Sequence, residues 1–402
     1  MKKSLTLIAV TVFLLAACKR ESLTDKKIEA TDNSSVLSED MLSENGNNPD
    51  ELYASAAAST ARNNGSHYVY IESNEAAKNT ILVFKQQNDG RLHLEYQVAS
   101  GGKGLGAGLA SQGALALDKR NDYLFAVNAG SNSVSSFRVK NNGGLELLCT
   151  VPTGGQKPVS VTVHDNYVYV LNNGSSDIMG FKLTGNGILN PINGSHQGLS
   201  SSTADAAQIS FSPSGDALLI SEKATNKITA FKVSGNGVAH NKVVNNSVGN
   251  TPFGFDFARG QYMIVSNADG GTPATSSCTS YKNLDYLHIN AVNGKVNNGQ
   301  TAVCWVATTS FGRYAFVTNT GSNTISAYYI DQSGRLYLVP WVNEQAGEKP
   351  ADIIVSSDNE YVYNINGGNN TLGEYKRKSS SKLENIGYIS SIPDFSAGLV
   401  SN

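Results

Sequence analysis

One phrase recurs along this chain and constrains its fold more than any other feature. An aromatic or aliphatic run leads to an Asn, then a Gly/Ser/Asn turn, then an alternating run rich in β-branched residues. It reads YLFAVNAGSNSVSSFRV at Tyr123–Val139, YVYVLNNGSSDIMGFKL at Tyr167–Leu183 and ALLISEKATNKITAFKV at Ala217–Val233. It returns as YAFVTNTGSNTISAYYI at Tyr314–Ile330 and YVYNINGGNNTLGEYKR at Tyr361–Arg377. Degraded copies begin at Tyr68 and at Tyr262, the second carrying an insertion, so seven copies result. With Asn74, Asn128, Asn172, Glu222, Asn267, Asn319 and Asn366 as markers, successive copies lie 44 to 54 residues apart. The apolar residues alternate in twos and Asn/Gly turns bound them, which excludes a helical repeat. An all-β repeat of roughly 45–50 residues is one four-stranded blade of a propeller.

The other strands of each unit are legible too. GALALDKRND, VSVTVHDN, QISFSPSGD, GFDFARGQ, WVATTSFGR and DIIVSSDNE precede the phrase, and GGLELL, GILNPI, GRLYLV, SKLENI and GRLHLE follow it. Naming the strands A (innermost) to D (outermost), blade one lacks an A strand at the N-terminus. Ser396-Ala397-Gly398-Leu399-Val400 resembles Gln112-Gly113-Ala114-Leu115-Ala116 and is predicted to supply it. The expectation is an all-β, seven-bladed β-propeller over residues 66–402, closed by a C-terminal strand that leaves no exposed ring edge.

The first residues read as an address. Lys2 and Lys3 precede the apolar run Leu5–Leu15, which is too short to span a bilayer as a helix. Leu15-Ala16-Ala17-Cys18 has the form of a bacterial lipobox, so residues 1–17 are expected to be a signal peptide and Cys18 the lipidated residue. Residues 18–65 are rich in Ser, Asn, Asp, Glu and Lys and read as a flexible tether. The expected location is the cell envelope, on its periplasmic or outer-membrane side, with a monomer touching the membrane through the lipid alone.

Composition excludes several classes. The net charge is −2 with no basic run, so no nucleic-acid partner is expected. Four cysteines exclude a disulfide-dense scaffold. Cys278 in the blade-five insertion and Cys304 near the next A strand are the pair expected to form a disulfide. Gly101–Gly113 lacks the strand–helix context and the Lys-Ser/Thr of a phosphate loop. No spacing fits a calcium loop or a zinc site, and no cofactor is expected.

Taken together, Ser100–Leu115, Asn128–Val139, Lys157–Gly174, Ser221–Ile228, Thr251–Phe257, Thr301–Thr309 and the terminal Ala397-Gly398-Leu399-Val400 resemble the secreted branch of the seven-bladed lactonase-like propellers. That family includes 6-phosphogluconolactonase and carboxymuconate cyclase. The resemblance implies a lactonase-like hydrolase, with His and Arg at early A-strand positions. Here the corresponding residues are Ala207 and Phe253-Gly254, and Ala268 follows Asn267 where an acid is common. The loss of these cations disfavours a phosphorylated substrate.

The longer loops lie on the face of the B–C turns and D–A crossovers, so the site is expected at that mouth. Residues predicted there are Gln112, Ser160, Gln208, Trp305 and Asp352, with Glu222 and Lys223 from a B–C turn. Lactone hydrolysis needs a base for water and a donor for the oxyanion. Asp352 or Glu222 would be the base. Lys223, Gln112 and Gln208 would be donors, while Trp305 and Ser160 would contact ligand. Two further readings stand beside a hydrolase of a non-phosphorylated lactone or cyclic ester. One is a non-catalytic propeller that binds a glycan, a peptide or an envelope protein. The other, weaker, is a cyclase-like isomerase.

Overall fold

A computed structural model describes residues 36–37, 66–283, 287–378 and 381–402. Cys18 and the signal segment lie outside them. The described strands form seven antiparallel sheets with four main strands each, in chain order from the inside out in blades two to seven and with the C-terminal strand innermost in blade one. In blade three the two-residue strand Gln197–Gly198 also pairs with Asp177–Leu183. The inner strands are Ala397–Ser401 in blade one, Leu115–Leu117 in two, Pro158–His164 in three and Ala206–Phe211 in four. Pro252–Ala258, Val303–Thr308 and Pro350–Val355 complete the set in blades five, six and seven. Neighbouring inner strands contact one another all the way round the ring.

Closure is as expected: Ala397–Ser401 pairs with Tyr68–Glu72, so one blade joins both ends of the propeller. The blade-one marker differs by two residues. The B strands end at Glu72, Asn128, Asn172, Glu222, Asn267, Asn319 and Asn366, so the structural equivalent is Glu72 and not Asn74. Asn74 lies in the turn beyond, with a left-handed φ of 51°.

The blades are held together by a contact that the copies opening at Tyr68, Tyr123, Tyr167, Tyr262 and Tyr361 repeat. The Tyr that opens a B strand packs against the C–D turn glycine of the next blade. Gly143 (φ 74°) lies against the Tyr68 ring, and Gly237 (φ 83°) against Tyr167. Two residues on, Tyr70 and Tyr169 donate their hydroxyls to the carbonyls of the same glycines, at 3.1 and 2.6 Å. Buried hydroxyls satisfied in this way cost little, while the rings fill the space between blades.

Part of the segment read as a tether is packed. Val36 forms a parallel bridge to Leu338 in the outer strand of blade six, Leu336–Gln345. The Leu37 amide donates to the Leu338 carbonyl at 2.8 Å, and the Leu37 side chain is buried.

Candidate functional site

Each inner strand of blades two to seven is entered through a left-handed, non-glycine residue: Ala110, Lys157, Asp205, Thr251, Ala302 and Lys349. Counting from that residue puts Ser160, Gln208, Trp305 and Asp352 at one equivalent position, three residues on. Gln112 stands only two residues on, where the other blades carry Val159, Ala207, Phe253, Cys304 and Ala351. The predicted set therefore mixed two registers, and Gln112 does something its neighbours do not.

Gln112 reaches across the ring. Its backbone amide donates to the Ala207 carbonyl in blade four at 3.1 Å. Its side-chain nitrogen donates to the Val306 carbonyl in blade six at 2.8 Å, and its Oε1 accepts from the Val306 amide at 3.1 Å. A Cβ built on Gly254 in blade five would lie 2.0 Å from that Oε1, so glycine there makes room for the glutamine. Ser111 donates to the Val159 carbonyl at 2.9 Å, and the Ser111 carbonyl accepts from Trp305 Nε1 at 2.8 Å. The Lys223 ammonium donates to the Ala110 carbonyl at 2.7 Å. It also sits 3.4 Å from Asp205 and 5.2 Å from the Phe253 ring centroid. Phe253 and Trp305 pack ring to ring at 4.8 Å. The mouth expected to be the site is thus filled by protein.

This packing assigns the predicted residues. Trp305 is buried against Phe253 with its Nε1 bonded, so it offers no face for a ligand to stack on. Burial lowers the Lys223 pKa, the nearby Asp205 only partly opposing it. Ser160 is fully buried and accepts from the Ile209 amide at 3.2 Å, tying blade three to blade four. Glu222 is fully buried. It accepts from the Ser200 amide at 3.1 Å and hydroxyl, from Thr225 at 2.7 Å and from Thr229 at 2.6 Å. Asn128 and Asn319 meet Ser135 and Ser326 at the same seven-residue offset, so Glu222 plays the part of the belt asparagines with the donor reversed. A carboxylate so engaged is a structural tie between blades.

The expected Cys278–Cys304 disulfide does not form: both are free thiols. The chain places them in different packed clusters, Cys278 beside Val296 and Val303 and Cys304 beside Ala207 and Phe253. Burial raises the thiol pKa to about 12 for Cys278 and about 11 for Cys304.

Below the filled mouth lies a cavity of about 230 Å³ in the central channel. Gln112 and Gln208 line it at one level, with Asp352, and Ser210, Asp256 and Thr308 line it further along. No Lys, Arg or His is among its lining residues. Gln208 bridges to blade five, accepting from the Phe255 amide at 2.7 Å and donating to its carbonyl at 2.9 Å. Each glutamine amide nitrogen carries a second hydrogen beyond that bond.

Two carboxyls face this space. Asp352 is 5 % exposed and accepts from the Gly398 amide at 3.1 Å. Burial pushes its pKa up to about 7, with backbone hydrogen bonds opposing. Asp256 is raised by burial as well, but it is more firmly held. It accepts from the Thr308 amide and hydroxyl, both at 2.8 Å, and from the Phe257 amide at 2.7 Å. Sequence reading missed Asp256, Ser210 and Thr308. The signal was the two-residue strand period: Asp352 lies three residues past its left-handed residue, and Ser210 and Asp256 lie five past theirs.

The fold has many relatives. A protein from Lactobacillus plantarum superposes with a TM-score of 0.70 at 17 % identity, covering 84 % of this chain and 99 % of its own. A Bacteroides uniformis protein provisionally assigned as a 6-phosphogluconolactonase gives 0.68 at 17 % identity, with 84 % and 100 % covered. The periplasmic gluconolactonase of Pseudomonas aeruginosa gives 0.67 at 14 % identity, with 84 % and 99 % covered. At such identities the likeness establishes the fold alone. No curated protein is significantly similar to the chain. The family model for the lactonase seven-bladed β-propeller matches residues 60–198 and 165–282, which together span more than half of the sequence. With seven four-stranded blades closed as the strand pairing shows, the chain belongs to the lactonase family of seven-bladed β-propellers.

Proposed function

We propose that the protein is a lactonase-like hydrolase acting on a non-phosphorylated lactone or related cyclic ester, with Asp352 as the base. The observation that carries this reading is the Asp352 carboxyl, buried in a polar channel cavity with a pKa near 7 and held by backbone amides, that of Gly398 among them. A base titrating there is ionised for much of the time at neutral pH and still accepts a proton readily. Water adds to the lactone carbonyl as Asp352 takes its proton. The ring C–O bond then breaks, and the departing alkoxide recovers that proton to give the open hydroxy acid. The free amide hydrogens of Gln208 and Gln112 are the oxyanion donors. The absence of a cation among the lining residues makes a phosphorylated sugar acid a poor substrate. An envelope location is part of the same reading, in keeping with the periplasmic gluconolactonase that shares the fold.

A lactone panel assayed with the full chain tests this. The kcat/KM corrected for buffer hydrolysis is expected to rise with pH through about 7 and level off above it. Asp352→Asn is expected to lose about 10²-fold or more in kcat with its melting transition intact, in the range of a lost general base. Glu222→Gln is expected to leave the pH profile unchanged. No turnover above buffer on any lactone would favour a non-catalytic binding propeller.

A further inference from the structure

Two independent observations bear on how a ligand reaches the channel. The first is the filled mouth. The blade one–two crossover enters at Ala110 with φ 52°, and Ser111 and Gln112 bond to blades three, four and six. The second is a gradient of exposure along the inner strands. Their beginnings are buried, as at Pro252–Phe255 and Val303–Trp305. In four blades the ends are partly exposed, at Ala116 and Leu117, Val163 and His164, Ile354 and Val355, and Val400 and Ser401, while in blades four and five the last residue is buried again. Every one of those ends points toward the A–B turns. The cavity follows the same direction, running from Gln112 and Asp352 to Thr308, Val355 and Val400.

We propose that ligand enters and leaves this propeller through the A–B-turn face, and that Ala110–Gln112 is a fixed plug in the opposite mouth. The long D–A crossovers then form a closed lid rather than a recognition surface. Lys223 and Trp305 become positioning residues that pin the plug through the Ala110 and Ser111 carbonyls. The ligand end is the wall of Ser210, Asp256, Thr308 and Val355, which carries hydroxyl and carboxyl groups and suits a neutral, hydroxyl-bearing ligand. This placement rests on the channel being the ligand site but not on any hydrolysis, so it stands or falls by measurements that need no substrate.

Thiol accessibility in the full chain tests it, with sites assigned by peptide mapping. Val355→Cys and, separately, Thr308→Cys are expected to react with N-ethylmaleimide at least tenfold faster than the buried Cys278. If both react as slowly as Cys278, entry from the A–B face is overturned. Cys304 reports on the plug. In a Lys223→Met/Trp305→Phe double variant that keeps a cooperative melt, its alkylation is expected to speed up at least tenfold while Val355→Cys is unchanged. An unchanged Cys304 rate would overturn the plug. Should the double variant fail to fold, hydrogen exchange in the unaltered protein serves instead. The Gln112 amide is expected to exchange at least 10²-fold more slowly than the exposed Gly108, and comparable rates would count against a fixed plug.

Discussion

At the residue scale, burial holds the Asp352 carboxyl far from its ordinary state in water, as it does for its neighbour Glu72. Its folded pKa of about 7 stands above its ordinary 3.8. Between those values the folded protein holds a proton that the unfolded chain has released, so stability falls as pH rises through this window. By this group alone the loss is on the order of 4 kcal/mol by pH 8, fully absent below the unfolded pKa. Asp352→Asn removes the ionisation and can still accept from Gly398. The variant is therefore expected to melt higher than the parent at pH 8 and nearly level with it below the unfolded pKa of 3.8. Equal melting temperatures at pH 8 would mean that the carboxylate is solvated and no base of the kind proposed. Glu222 is the instructive contrast. Its departure from an asparagine pattern drew attention in the sequence, yet four donors hold it in the same structural role as the asparagines. An unusual residue in a repeat marks a site only if its hydrogen bonds are left open.

At the scale of the element, the Tyr–Gly contact between blades explains the composition. Low charge, 39 glycines and 18 tyrosines follow from a turn glycine and a B-strand tyrosine used in blade after blade. Gly237 has φ 83°, and an added Cβ would fall 2.3 Å from the Tyr167 ring. Gly237→Ala meets both a disfavoured backbone and an overfilled interface. It is expected to cost about 2 kcal/mol or more, read as a lower denaturation midpoint with an unchanged slope. Gly235, two residues earlier, has open space around its Cβ position and no left-handed φ. Gly235→Ala is the matched control, expected to be close to neutral. Strand order, turn positions and the closing strand were all legible in the sequence, because period-two alternation and Asn/Gly turns are local signals. The blade-one marker was misplaced from Glu72 to Asn74, since that copy replaces the asparagine that anchors the pattern elsewhere.

At the scale of the whole molecule, the propeller is a closed ring with one non-covalent seam. Ala397–Ser401 completes blade one, and Gly398 also donates to Asp352 in blade seven. Removing residues 396–402 leaves Val69–Glu72 as an unpaired inner edge and strips a wall from the channel. The truncated chain is expected to lose its single cooperative melting transition and to aggregate at concentrations where the full chain is soluble. A truncated protein that melts as one unit at the parent temperature would show that the seam is dispensable. The same closure gives the channel its two unlike ends, one plugged and one open.

The sequence by itself determined the repeat, the number of blades, the strand order and the way the ring closes, because each is written in near-neighbour patterns of alternation and turn. It also placed Asp352 and Gln208 on inner strands, and both line the channel cavity. Only the tertiary structure decided which end of the channel is open. Gln112 meets partners 95 and 194 positions away, and no local period encodes a contact across a ring. For the same reason Thr308 stayed hidden and Cys278 and Cys304 were wrongly paired. Their environments are set by which blades face one another, a property of the closed circle rather than of any one repeat.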